Sequence, residues 1–470
     1  MFYTTAFTKI ELVTVLLFLS LFGHAQVKVT HTLRVQSDTL RWEFSVDNSY
    51  SVVRFSKMDS VDTFNAPQKY EGKICSFVFA TGNQRIRVGH NNGKLLSQRI
   101  ALTDGTKTKY IQVNFFGSLS AHFSTAYQRR FRGTVTYEIP ETYELANVAL
   151  ALTEAGQKDA NMIEQSGDYF PRVKKHFAAF TKHPLILRLN EQLKSKSFNF
   201  YYGTRENAYA LELDKAGKPV SRGVYDNIWP RLNDMADYPD QWADFVRQSG
   251  FREFYRANKP YYQEDIADVT RLLPVKQMQN WLESQFPGIR YDGQRVVFSP
   301  LINGVHSAQK FADQGYNESL MFICDARHFD RKKYSDAQIE GLYSGVVFTE
   351  IDHNFVNPVS DKHLSTINEV FSEREKWTRK GDSDHYGNAY EVFNEYMTHA
   401  VHLLYIKDKY PDDVYKLVRD ARIDLNSNRR GFYRFEAFVD ELQRLYESRK
   451  SGQTVADLYP AILNWSKNVR

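Results

Sequence analysis

The residues best suited to chemistry lie in Thr349-Glu350-Ile351-Asp352-His353, inside the longer run from Gly341 to Pro358. At about 100° per position, Phe348, Ile351 and Phe355 gather on one side of a helix. Thr349, Glu350, His353 and Asn357 fall on the other side, and Leu342, Tyr343 and Val346 extend that side upstream. A helix apolar on both sides over its first turns is a buried helix. A carboxylate and an imidazole on such a helix need a partner or a task.

One task has a known spacing. In His-Glu-x-x-His, two imidazoles one turn apart hold zinc, and the Glu takes a proton from metal-bound water. Glu350 occupies the base position and His353 the second ligand position, but Thr349 stands where the first imidazole would. A hydroxyl is a weak zinc donor, so the set starts one ligand short. Glu395, on the later segment Phe393 to His402, is the candidate third ligand; His399 is four residues on, and His402 lies about one turn further. His399, Asp352 and His306 are the further ligand candidates, and the sequence does not choose among them. Against this stands a solvated Glu395/His399 face, because the apolar stripe Phe393, Met397, Ala400 and Leu404 points away from Glu395.

The elements around these residues follow from periodicity. Residues 26–139 read as a β-sandwich-like module: runs such as Leu40 to Val46, Arg85 to Val88 and Tyr110 to Phe116 alternate with period two. Asn91-Asn92-Gly93 and Asp104-Gly105 are turn signals. From Pro140 the period becomes helical, and residues 140–470 read as an α+β domain rich in helices, with a subdivision near 290–340. Helices are expected at Arg172–Lys194, Asp240–Asn258, Glu264–Leu273, Pro274–Gln285, Gln338–Val356, Ala389–Asp408, Asp412–Leu425 and Arg434–Arg449. The motif helix should stop before Pro358, which disfavours helical geometry in Asn357. A hairpin is expected within Tyr201–Val220, and strands at Arg295–Phe298 and Ser319–Cys324.

The chain resembles an uncharacterised family of secreted bacterial proteins, classed as a domain of unknown function, whose members look like zincin metallopeptidases. The residues that carry the resemblance are Pro140-Glu-Thr-Tyr-Glu-Leu-Ala-Asn147, Phe298-Ser-Pro-Leu301, Thr349-Glu-Ile-Asp-His-Asn-Phe-Val-Asn-Pro358 and Asn394-Glu395. The family's helix reads His-Glu-x-x-His followed shortly by Phe-Val-Asn-Pro. The resemblance implies a zincin-like fold over 140–470, zinc held by the helix pair, and Glu350 as general base. Thr349 is the departure, and it bears on both zinc binding and turnover.

Two functions therefore stand side by side. One is a zinc-dependent hydrolase acting on a peptide or protein, with Glu350 catalytic and the metal on His353 and Glu395. The alternative is a catalytically inactive zincin-like protein that binds a peptide or glycan in the same cleft. A di-metal carboxylate protein needs Glu-x-x-His on two helices, whereas the second helix offers Glu395-x-x-x-His399.

Residues 1–25 read as a secretory signal: Lys9, an apolar run from Leu12 to Phe22, then Gly23-His24-Ala25 as the cleavage site. That predicts export to the periplasm or beyond. With no second apolar stretch of membrane-spanning length, no stable membrane insertion is expected after signal removal. The net charge of +5 over 470 residues is small. Its basic clusters, Arg129-Arg130-Phe131-Arg132 and Arg429-Arg430, are short and read as solvated surface, so a nucleic-acid partner is not expected. Two cysteines, Cys75 and Cys324, allow one disulfide or two buried thiols. Glu141 and Glu144 suit a helix start. Tyr261-Tyr262 and Trp229-Pro230 read as packing, and Asp382, Asp384 and His385 as a solvated loop. No Gly-rich phosphate loop and no Gly-x-Ser-x-Gly nucleophile motif stands out.

Overall fold

The computed structural model describes residues 29–36, 38–44, 50–58, 61–65, 75–90, 96–115, 121–229, 233–379, 386 and 388–469; the side chains of Asp352 and His353 are outside this set. The expected signal segment, the Asn91-Asn92-Gly93 turn and the Asp382 to His385 loop also lie outside the described residues. The chain divides into two compact units that interleave along the sequence: residues 1–122, 141–155 and 177–251 form one, and residues 123–140, 156–176 and 252–470 the other.

The first unit begins with eight strands: β1 (Val29–Arg34), β2 (Thr39–Phe44), β3 (Tyr50–Arg54), β4 (Val61–Asn65), β5 (Cys75–Thr81), β6 (Gln84–His90), β7 (Leu96–Thr103) and β8 (Thr108–Phe115). They build two four-stranded sheets, ordered β1-β7-β8-β4 and β3-β2-β5-β6. The inward halves of the alternating runs meet in one apolar cluster, with Leu40, Phe44 and Phe79 from one sheet and Ile100, Leu102 and Ile111 from the other. Asp104 turns β7 into β8 by accepting from the Thr106 and Lys107 amides, and Gly105 supplies the positive φ of 93°. The same unit holds helices Glu141–Ala151, Pro184–Asn207 and Pro239–Ser249. Glu144 and Asn147 of the Pro140 motif are fully buried there.

Several expected helices are broken where a local signal outweighs the apolar period. His183 caps helix Pro184–Asn207 by accepting from the Leu185 amide, which splits the expected Arg172–Lys194 helix. Gly250, with φ of 65°, splits Asp240–Asn258. The hairpin is shorter than expected, β10 (Leu211–Leu213) with β11 (Pro219–Ser221), because residues 201–207 finish a helix.

The second unit is built on a mixed sheet of β9 (Val135–Glu138), β12 (Gly293–Phe298), β13 (Ser307–Asp313) and β14 (Tyr316–Ile323), ordered β13-β14-β12-β9. β9, β12 and β14 run parallel, and β13 closes the edge antiparallel. All six residues of β12 are buried, as expected of a parallel strand covered on both faces. Cys324, just past β14, is an unbridged buried thiol.

Helix Asp336–Ser360 carries the motif and packs against helix Ala389–Lys409. The motif helix does not end before Pro358; it runs two residues past it. Burial of Phe355, Val356 and Val359 on the core side outweighs the local preference of Asn357. Among the described residues, no helix is long and apolar enough to cross a membrane.

Candidate functional site

The motif helix starts from a capping box at Ser335 and Gln338 and then presents two glycines. Glycine inside a helix costs about 1 kcal/mol relative to alanine, so a packing reason is expected. At Gly341 a Cβ would sit 2.8 Å from Val414 and 2.9 Å from Val418 of helix Asp412–Ile423. At Gly345 a Cβ would overlap the Arg422 guanidinium. The glycines thus let a third helix close on the motif helix and lay Arg422 across it.

After Ile423 the helix widens into a π-helical turn, Asp424–Arg429, which delivers Arg430 into the space beside helix Ala389–Lys409. Buried Asn426 steadies it, donating to the Arg422 carbonyl at 3.0 Å and accepting from Arg430 Nη1 at 3.1 Å. Arg430 Nη2 donates to Glu395 Oε2 at 2.6 Å and also meets the Tyr386 hydroxyl. Its Nη1 lies 2.5 Å from His399 Nε2.

Glu395, whose side chain is 13% exposed, therefore has a partner in this pair and does not face solvent. His399 sits between two guanidiniums, with Nδ1 3.5 Å from Arg422 Nη1. Guanidinium N–H groups only donate, and an imidazole can accept only at an unprotonated nitrogen. The short Nε2 contact takes that lone pair, so Nε2 accepts from Arg430. Burial pushes both Arg430 and Arg422 down to about 10, and the Glu350 charge works against the fall at Arg430. Both guanidiniums remain charged at neutral pH, and Arg430 bonds Glu395 and feels the Glu350 charge.

His402 lies deeper and is fully buried. Its Nε2 is 3.1 Å from Ser344 Oγ, which itself donates to the Gly341 carbonyl, so Nε2 carries the hydrogen in this network. Burial, followed by the Arg422 charge, holds the His402 imidazole well below its ordinary range.

The sequence-derived candidates can now be placed. Glu395 and His399 both meet Arg430, whose charge Glu350 also influences, and the solvated-face reading of Glu395 and His399 gives way to a buried cluster. Thr349 turns its hydroxyl back to the Gly345 carbonyl at 2.9 Å. His306 lies just before β13. The backbones of Asp352 and His353 lie on the motif helix, and their side chains are outside the described set.

Among the described residues, the donor chemistry does not fit a divalent cation here. The Glu395 oxygen and the His399 nitrogen are taken by a guanidinium, and two fixed positive charges border the space. Among the described residues, no group of three or more His, Cys, Asp and Glu is placed to hold a metal ion.

Arg430 overturns its own reading as solvated surface charge. The sequence signal missed was the Arg422-Asn426-Arg430 spacing, three polar residues at i, i+4 and i+8, which continues past the expected helix end at Leu425. Nothing in the sequence announces the wider turn that aims it.

Comparison with curated proteins and with solved structures returned no match. A family profile described as a domain of unknown function (DUF4932) matches residues 136–465, which contain the parallel strands, the motif helix and the whole arginine cluster, and the chain belongs to that family.

Proposed function

We propose that this protein is an exported, zincin-like binding protein in which an arginine has taken the metal's electrostatic role, and that it does not catalyse zinc-dependent hydrolysis. The observation that carries the reading is the Arg430–Glu395 pair at 2.6 Å, combined with Thr349 at the first-ligand position. A divalent ion neutralises a buried carboxylate and orders the helices around it; a guanidinium bonded to Glu395, His399 and Asn426 does both without an ion. The mixed sheet with an antiparallel edge strand, next to a helix pair bearing Thr-Glu-x-x-His and Glu395, supports the zincin-like assignment. The leading segment supports export. The ligand class compatible with such a scaffold is a peptide or glycan.

Metal analysis of the purified mature chain tests the proposal. The expected result is no stoichiometric zinc, and none gained by T349H alone, because Arg430 still holds Glu395. The double variant T349H/R430M should gain zinc. Stoichiometric zinc in the natural chain, with peptide hydrolysis lost in Glu350→Gln, would overturn the reading in favour of the metal-dependent hydrolase.

A further inference from the structure

A second polar site, on other residues of the same unit, lies beyond the carboxyl ends of the parallel strands. β12 leads into Pro300 and β14 into Asp325, and both line a half-open cleft of about 40 Å³ together with Glu164, Ser166, Arg327 and His328. Open α/β sheets place ligands in this position because loops leaving parallel strands diverge there.

The side chains are fixed in detail. Asp325 is 3% exposed and accepts from the Arg327 amide at 2.9 Å, which holds its carboxylate at the cleft floor. Behind it lies Asp265, fully buried and close enough for the Asp325 charge to raise its carboxyl. Arg327 gives its Nε to Asp265 at 2.9 Å and stacks 4.0 Å over the Tyr261 ring. Among the described residues no hydrogen bond takes its two terminal nitrogens, and its side chain is 35% exposed. Glu164 Oε2 meets His328 Nδ1 at 3.0 Å, and Glu164 Oε1 accepts from the Ser166 amide at 2.5 Å.

The walls thus offer an open guanidinium fork beside carboxylate acceptors, with a hydroxyl at the rim. A ligand carboxylate would meet Asp325 and Glu164, and a ligand ammonium would meet Arg327. A neutral hydroxyl can accept from the fork and donate to the carboxylates, so adjacent hydroxyls satisfy both walls without a like-charge contact. The faces of Tyr261 are taken by Arg327 on one contact and Tyr169, stacked at 5.3 Å, on another, so recognition rests on hydrogen bonds. From this geometry we infer that the cleft takes the adjacent hydroxyl groups of one saccharide unit whose ring stays at the open mouth, with Arg327 donating and Asp325 accepting. The inference does not rest on the arginine cluster or on its metal status.

Saturation-transfer NMR on the full mature chain tests it, with glucose, galactose, mannose and N-acetylglucosamine as probes and lysine amide and acetate as charged controls. The expected result is saturable binding of at least one sugar and of neither control. Asp325→Asn and Arg327→Gln should each weaken binding about tenfold, the loss of one charge-assisted hydrogen bond. Ser166→Ala, which removes a hydroxyl bonded to Glu164 but neither member of the Glu164–His328 pair, should weaken it about threefold and serves if either of the others unfolds. Binding of a control in place of a sugar, binding of no probe, or sugar binding unchanged in the folded variants would overturn the inference.

Discussion

The helix-pair cluster and the strand-end cleft solve one problem, a carboxylate removed from water, in opposite ways. At the helix pair, Glu395 is neutralised by a guanidinium at 2.6 Å. In the cleft the single guanidinium of Arg327 is divided between two aspartates, 2.9 Å from Asp265 and 4.0 Å from Asp325. The remaining charge is removed by a proton: burial and the Asp325 charge push Asp265 up to about 8, and burial pushes Asp325 up to about 6. Where a fixed cation pairs with the carboxylate, no proton is needed; where cations fall short, the site titrates.

The comparison can be broken first at the helix pair. Arg430→Met leaves Glu395 buried without its partner and should cost about 3 kcal/mol in urea-induced unfolding; a loss near zero would mean that the pair is not what neutralises Glu395. Gly345→Ala forces Arg422 off the motif helix and should cost about 2 kcal/mol. A neutral result there would show that the guanidinium does not need the gap.

Two pH profiles sharpen the contrast. An unfolded aspartate ionises near 3.8, whereas folded Asp265 keeps its proton to about 8. The folded state therefore binds more protons between those limits, and stability falls as pH rises through about 4 to 8. Asp265→Asn should flatten that limb, and an unchanged slope would place the proton elsewhere. His402 gives the reverse sign with a smaller effect. Its folded pKa lies well below the ordinary 6.5, so its contribution is present above that value and is lost as pH falls below it. His402→Gln should soften the acid limb while leaving the alkaline limb in place.

Much of the architecture was legible from periodicity. The alternating runs that became β2, β6 and β8, and the helices near residues 389 and 412, stand within a few positions of their expected bounds. The motif helix was recognisable as buried because it is apolar on two sides. What failed were ends and interruptions. Pro358 was expected to stop a helix that core burial carries through, and Gly250 and His183 interrupt helices that the apolar period alone runs together. The site was half legible: Glu350, Glu395 and His399 announce themselves by type and spacing, whereas Arg430 reads as a surface charge beside Arg429.

By itself the sequence determined that a carboxylate and a histidine one turn apart ride on a buried helix, and that the first imidazole of a zinc pair is a threonine. Those facts are local, set by a repeat of 3.6 residues and the chemistry of single side chains. Only the tertiary structure decided which charges meet. Arg430 reaches Glu395 across 35 residues and Arg327 reaches Asp265 across 62, and contacts at such separations are fixed by how helices and loops pack, which no local pattern encodes.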